Sequence, residues 1–507
     1  MKNQLTRRDF LKFAGALPLS LAVPPSLNSL PQGQGKNVLI VVLDALSAKH
    51  IALFGYQRET MPNLSRLASK GIVYQNHYAS GNFTTPGTAS LLTGTYPWTH
   101  RAFGHLGIVD DTFVDKSIFK AFQNYHSITY THNPWASAIL DQFVSDLEIY
   151  IPKSELFLSD DPFIPILFGN DEDIARVSWI RTAKKREDGF AYSLFLSRFY
   201  ETLRDYRFAN ISAQYPRGIP NIYKDNYFLL EYAVDRLADE LKKVNQPFLG
   251  YFHFWPPHDP YNTHREFYNR FKNDGVKYIP KPRSIFSKNK ESVEEFNQWR
   301  IEYDEFILYA DREFGRLVDY LETFGLLENT YVVLTSDHGE MLDRGIGGHS
   351  TPVLYQPLVR VPLAILEPGR DLREDVHVPT SAIDLIPTLL HATGQPQAAW
   401  TEGVVMPPFN REYPGDKRAI YILEAAKNQK YQPLTIATVS MIKGDYKLTY
   451  FFGYDELGGP DGKLIELYDL ENDPGELHNL FPTQKSIGAD LLNELRIKLS
   501  EVNAPYQ

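Results

Sequence analysis

Cysteine is absent from all 507 residues, so disulfides, thiolate metal ligands and a cysteine nucleophile are excluded in any compartment. An excess of basic residues is also missing. Lys and Arg number 52 against 62 Asp and Glu, for a net charge of −10, which argues against a nucleic-acid partner. Beyond the N-terminal segment there is no apolar run of about 18 residues that could span a bilayer. Hydrophobic residues at 43% and charged residues at 22% are ordinary globular values and exclude collagen-like, disordered and heptad-repeat chains. At about 150 residues per domain the length predicts two to four domains. Aromatics reach 13%, enough for a large core and an aromatic-lined cleft.

The N-terminus carries a targeting pattern. Thr6-Arg7-Arg8-Asp9-Phe10-Leu11-Lys12 places paired arginines before a modest apolar stretch, Phe13 to Pro24, and reads as a twin-arginine export signal. The expectation is an exported protein, periplasmic or secreted, that meets the twin-arginine machinery in transit. That route carries folded proteins and suits one that acquires its metal first. Ser26 to Lys36, rich in Pro, Gly, Gln and Ser, reads as a linker.

Three apolar runs read as buried parallel strands covered on both faces. They are Asn37 to Leu43 ending at Asp44, Phe248 to Phe252 running into His253, and Tyr331 to Thr335 ending near Asp337. Amphipathic helices are expected over Tyr227–Val244 and Glu291–Phe324. Asp146 to Pro220, with a helix-like Phe195–Phe208, reads as an insertion over the active site. After Gly394 the texture changes to short strands at Thr435–Val439, Tyr446–Phe452 and Lys463–Tyr468, then a helix from Lys485 to Val502. The resulting division is signal and linker at 1–34, a catalytic domain at 35–395 with the insertion at about 146–220, and a C-terminal subdomain at 396–507.

In open α/β sheets, function collects at the carboxyl ends of the strands. Asp44, His253 and Asp337 stand at three such ends. A carboxylate there needs a cation or a hydrogen-bond cage. The Asp337-His338 pair suits a divalent ion bound through oxygen and imidazole. The polar segment Asn82 to Gly94 leads into a helix, and Thr84 near its N-terminus would meet donors suited to an anion.

The ordered set of motifs resembles the sulfatase family of the alkaline phosphatase superfamily. It comprises the Asn37–Asp44 strand, Met61-Pro62-Asn63-Leu64, Leu91-Leu92-Thr93-Gly94-Thr95-Tyr96-Pro97 with His100, Pro257-His258-Asp259-Pro260, Ser336-Asp337-His338-Gly339-Glu340, Gly348-His349, and Glu466-Leu467-Tyr468-Asp469 with Asp473-Pro474-Gly475-Glu476. The resemblance implies an α/β three-layer sandwich with a mostly parallel central sheet, alkaline phosphatase-like, plus a small C-terminal α+β subdomain.

Several positions depart from the sulfatase pattern. Thr84-Thr85-Pro86-Gly87-Thr88 stands where sulfatases carry Cys or Ser, x, Pro, x, Arg, so Thr84 cannot become formylglycine and Thr88 replaces the arginine. Asp44 precedes Ala45 where a second Asp is usual, His338 follows Asp337 where Asn is frequent, and Tyr130-Thr131-His132 lacks a lysine. These residues resemble the threonine-using phosphodiesterases and phosphoglycerol transferases of the superfamily. That resemblance implies a metal site of Asp44, Thr84, Asp337 and His338 holding one divalent ion (Mn, Zn, Ca or Mg). Thr84 would be the nucleophile and His258 an acid or oxygen-binding group. Asn82, His132, His253 and His349 are substrate-binding candidates, with His258, His264 and His349 in reserve for a second ion. The implied activity is hydrolysis or transfer at a phosphate ester, a diester foremost, of a small-molecule, lipid-headgroup or glycan substrate. The alternatives are sulfate ester hydrolysis without formylglycine and a catalytically silent binding protein.

Overall fold

The run Asn37–Leu43 forms β1, and all seven of its residues are buried. Its odd and even positions face opposite ways, as the period of a strand requires. Leu39, Val41 and Leu43 pack in one core with the helices Leu230–Leu241 and Val293–Thr323. Val38, Ile40 and Val42 pack in a second core with the helices Thr84–Thr93, Pro134–Gln142 and Leu385–Ala392. A sheet sandwiched by helices on both faces is the three-layer arrangement expected from the sequence. In the computed structural model the described residues are 35–105, 107–158, 206, 208–222, 226–276, 278–288, 290–458 and 462–507. The arginine-pair segment lies outside them, as do most of the 146–220 insertion and nearly all of the Phe195–Phe208 helix. Lys36–Gln507 forms one compact unit.

The central sheet has eight strands in the order β11-β2-β10-β7-β1-β6-β4-β5. Beyond β1 these are β2 (Ile72–Tyr74), β4 (His126–Thr131), β5 (Ile149–Ile151), β6 (Phe248–Phe254), β7 (Thr330–Thr335), β10 (Leu363–Leu366) and β11 (Glu374–Val376). Every neighbouring pair is parallel except the two made by β10. Val42 of β1 pairs with His253 on one side and Thr335 on the other. This register brings the ends of β1, β6 and β7 level, with Asp44 and Asp337 each two residues beyond the aligned row. His253 lies inside β6, which runs two residues further than the apolar pattern predicts.

Two short pairs flank the sheet: β3 (His77–Tyr78) with β12 (Thr380–Ser381), and the hairpin β8 (Met341–Asp343) with β9 (Ile346–Gly348). The C-terminal sheet is antiparallel, β13 (Ile420–Glu424), β14 (Ala437–Lys443), β15 (Tyr446–Phe452) and β16 (Lys463–Asp469). The helix Lys485–Asn503 packs Leu492, Leu495 and Leu499 against Val439, Leu448 and Leu467. β13 is a fourth strand that the sequence reading did not include.

Among the described residues no helix is long and apolar enough to cross a membrane.

Candidate active site

Asp44 emerges from β1 fully buried. The next residue, Ala45, has φ 60, a left-handed conformation that a non-glycine residue adopts only under constraint. Tyr303, on the long helix Val293–Thr323, supplies that constraint. Its hydroxyl donates to the Ala45 carbonyl at 2.6 Å and accepts from the Ser47 amide at 3.0 Å. The turn aims the Asp44 carboxylate across the strand ends.

Four side chains converge there. His253 Nε2 lies 3.6 Å from Asp44 Oδ2 and 3.7 Å from Asp337 Oδ2. His338 Nε2 lies 3.3 Å from Asp44 Oδ1 and 3.6 Å from Asp337 Oδ2. Donors held about 2.0–2.2 Å from one ion stand about 3–3.6 Å from each other, so the spacing is that of a coordination shell. Asp44 Oδ1, Asp337 Oδ2 and His253 Nε2 are buried without a hydrogen-bond partner. Buried carboxylate and imidazole atoms left unpaired in one spot are costly unless a cation satisfies them. Oxygen and nitrogen donors without sulfur fit a hard or borderline divalent ion. Asp44, His253 and Asp337 thus form a buried group able to hold a metal.

Thr84 opens the helix Thr84–Thr93, whose N-cap residue, Phe83, has no side-chain cap to offer. The first amides of that helix are therefore free of side-chain partners, the arrangement that suits an anion. Thr84 Oγ1 lies 3.4 Å from His338 Nε2 and 3.2 Å from Asn133 Nδ2. The helix can press this close to the end of β7 because residue 87 is glycine. A Cβ there would stand 2.2 Å from the Asp337 carbonyl oxygen.

Asn133 is a site residue that the sequence reading missed. Its Oδ1 accepts the amides of Trp135 and Ala136 and so caps the helix Pro134–Gln142. Its Nδ2 is thereby turned toward Thr84 and also donates to Asp44 Oδ2. An Asn just past a strand and directly before a helix-initiating proline is a legible capping signal. Glu340 is the second addition. It is fully buried, with Oε2 at 3.3 Å from His349 Nδ1 and Oε1 unpaired.

Outside this group lies a cavity of about 820 Å³, lined by Thr84, Trp135, His258, Tyr261, Trp299 and His349 among others. The His349 ring packs between His338, at 4.4 Å, and His258, at 4.7 Å. His258 leans on Trp255 at 4.0 Å, and its Nδ1 meets the Asp259 carbonyl at 2.8 Å.

The other sequence candidates occupy different places. Asn82 donates to the carbonyls of His349 and Thr351 and so braces the loop that carries His349. His253, expected near substrate, sits between the two carboxylates instead. His132 is not a lining residue. Its ring packs against Tyr130, Phe228 and Phe254, and burial lowers its pKa to about 3. His264 stacks on Tyr309 and edges Tyr215, apart from the metal group.

The electrostatics follow from two carboxylates among imidazoles. Burial alone would raise the Asp44 carboxyl, but the charge of His258 and the close imidazoles of His253 and His338 hold it well below the usual range. Burial opposes charging of His338 and His258. Asp337 and Asp44 nevertheless raise His338 to about 9, and Asp44 and Asp259 raise His258 to about 10.

The mostly parallel sheet with metal-suited carboxylates at its strand ends has an alkaline phosphatase-like α/β fold. The solved phosphonate monoester hydrolase of Agrobacterium radiobacter shares the fold, with a TM-score of 0.66 at 18% identity over 93% of this chain and 96% of that one. A family model described as Sulfatase matches residues 36–395. The chain belongs to the sulfatase family and is a sulfatase-family hydrolase, and enzymes of this family are metal-dependent. It is 26% identical to a choline-sulfatase of Rhizobium meliloti (strain 1021), over 88% of this chain and 82% of that protein. It is 23% identical to the multifunctional alkaline phosphatase superfamily protein PehA of Trinickia caryophylli, over 88% and 91%.

Proposed function

We propose that this hydrolase acts on phosphodiesters after export, with Thr84 as nucleophile. The observation that carries the reading is Thr84 Oγ1 at 3.4 Å from His338 and 3.2 Å from Asn133, at the rim of the metal-suited group and in the wall of the cavity. Asp44, Asp337, His338 and Thr84 would hold one divalent ion, with His253 as a further donor. When bound, the ion neutralises the anionic ester and acts as a Lewis acid on it.

The side chains do the rest. Asn133 Nδ2 donates to Thr84 Oγ and favours its deprotonated form, the proton leaving to water. Thr84 Oγ attacks phosphorus while the uncapped helix amides face the ester oxygens. The bond from phosphorus to the leaving alcohol breaks, and His258 protonates that alcohol. The product is a phosphoryl ester of Thr84. Water, losing its proton to His258, then attacks phosphorus, and the bond to Thr84 Oγ breaks. The sum is diester plus water giving monoester plus alcohol. Threonine requires this second displacement because it has no hydrated aldehyde form that could expel the group by collapse. Phosphorus supports such a displacement.

The second reading is sulfate ester hydrolysis, favoured by the family match and by the similarity to a choline-sulfatase. Turnover of aryl phosphodiester, aryl phosphate and aryl sulfate by one preparation separates the two. The diester should be turned over fastest, and all activity should vanish in Thr84→Ala. Sulfate turnover above both phosphate activities would reverse the assignment.

A further inference from the structure

Between Asp274 and Glu291 the chain carries Lys277, Lys281, Arg283, Lys288 and Lys290 and no acidic residue. This local excess stands out in a protein whose net charge is −10. The same loop presents Ile279, at 81% exposure the most exposed large hydrophobic side chain among the described residues, and Ile285 at 58%. Singly exposed apolar residues are ordinary. Two of them beside exposed lysines, on a loop held still, are not.

The loop is held at several points. Tyr278 lies under the Arg300 guanidinium at 3.5 Å. Lys281 pairs with Asp343 at 3.0 Å, the Ser284 amide donates to the Arg344 carbonyl at 2.9 Å, and Ser287 Oγ donates to the Gly345 carbonyl at 2.7 Å. Phe286 is buried against Phe451 and Tyr454. Pro280 and Pro282 restrict the backbone between these anchors. Ile279 and Ile285 therefore stand outward by construction. Asp274, at one flank, is neutralised by Arg58 at 2.6 Å.

We infer that this loop docks the protein on an anionic lipid bilayer. Ile279 and Ile285 would enter the headgroup boundary while Lys288 and Lys290 meet lipid phosphates. Apolar insertion combined with cationic attraction is the chemistry of interfacial membrane binding. Two isoleucines favour a surface with an apolar phase over a soluble polyanion. The hairpin β8–β9 that anchors the loop also contributes Leu342, Gly347 and Gly348 to the cavity wall, so docking would couple the cavity to a membrane surface. This inference does not depend on which ester is cleaved.

The test is flotation of the full chain with vesicles of equal parts phosphatidylglycerol and phosphatidylcholine, against phosphatidylcholine alone. At about 0.1 M salt, where screening extends about 10 Å, partitioning should be about tenfold stronger on the anionic vesicles. Ile279→Asp with Ile285→Asp should lower it about tenfold, and Lys288→Glu with Lys290→Glu should remove the preference for anionic lipid. Both double variants should keep wild-type turnover of a soluble aryl diester, which shows that they fold. Equal partitioning of wild type and both variants would overturn the inference. So would concentration-dependent dimerisation that the Ile pair abolishes without vesicle binding, or binding to heparin that the Ile pair leaves unchanged.

Discussion

Asn133 Nδ2 stands 3.2 Å from Thr84 Oγ1 and also contacts the Asp44 carboxylate, so one amide joins the helix that presents the hydroxyl to the strand that presents the carboxylate. The amide cannot turn over freely, because its oxygen caps the helix Pro134–Gln142. Two substitutions separate these duties. Asn133→Ala should lose about 1 kcal/mol of stability with the cap and about a hundredfold in kcat with the donor. Asn133→Ser keeps a capping oxygen but has no N–H to reach Thr84 or Asp44, so it should retain most of the cap's stability and still lose kcat. Equal kcat in Asn133→Ser and wild type would remove the amide from the chemistry.

Thr84→Ala should cut turnover by about three orders of magnitude or more, as loss of a nucleophile does elsewhere, with the fold intact and only part of the metal-dependent stability lost, since Asp44, Asp337 and His338 remain as ligands. Thr84→Ser keeps the hydroxyl and should retain measurable activity. Steady-state kinetics on an aryl diester check both, and comparable rates for the Ala and Ser variants would count against a hydroxyl nucleophile.

Metal removal should destabilise the fold, because Asp44 and Asp337 then face each other with unpaired oxygens. An ion present at about 100 times its dissociation constant contributes about 2.7 kcal/mol, and thermal melts with and without chelator should show a loss of that order. Asp337→Asn preserves the Oδ1 that accepts the His338 amide at 3.1 Å and removes one charge. Its melting temperature should be insensitive to chelator and at least equal to that of the chelated wild type. A chelator response in Asp337→Asn matching that of wild type would place the ion elsewhere.

Acid should unfold the protein steeply for a reason remote from the site. Burial lowers His77 and His100 to about 3, against about 6.5 in the unfolded chain. Above pH 6.5 both are neutral in either state. Below it the unfolded state binds protons that the fold refuses, so stability present above pH 6.5 is lost as pH falls toward 3. With His132, which burial also lowers to about 3, three such groups together cost about 4 kcal/mol per pH unit in that window. Denaturant midpoints between pH 7 and 5 measure the slope. His100→Asn, whatever its effect at pH 7, should remove about a third of that contribution, and an unchanged slope would show that His100 is not responsible.

The three strand runs and their terminal Asp44 and Asp337 were legible because a parallel strand covered on both faces leaves an unbroken apolar signature. The long helix showed equally clearly through its repeating apolar positions, and Ser292 and Glu295 form its capping box. His253 was seen but misplaced. The apolar pattern stops at Phe252, whereas β6 continues to Phe254, and only the register with Val42 brings the imidazole between the carboxylates. Asn133 and Glu340 escaped for another reason. Each acts through a partner distant in sequence or across a tight turn, and a capping Asn looks the same whether or not its amide reaches a second residue. Among the described residues β13 pairs only with β14, and its five residues, Ile-Tyr-Ile-Leu-Glu, are too few to show a period.

The central claim is that Thr84 takes the phosphoryl group before water does, and stereochemistry at phosphorus tests it without requiring an intermediate to accumulate. A phosphorothioate diester of one configuration, hydrolysed in oxygen-18 water, reports the number of displacements. Each in-line displacement inverts the centre, so attack by Thr84 followed by attack by water gives net retention, which is the result expected here. Net inversion would mean that water attacks the ester directly, and Thr84 would then not be the nucleophile.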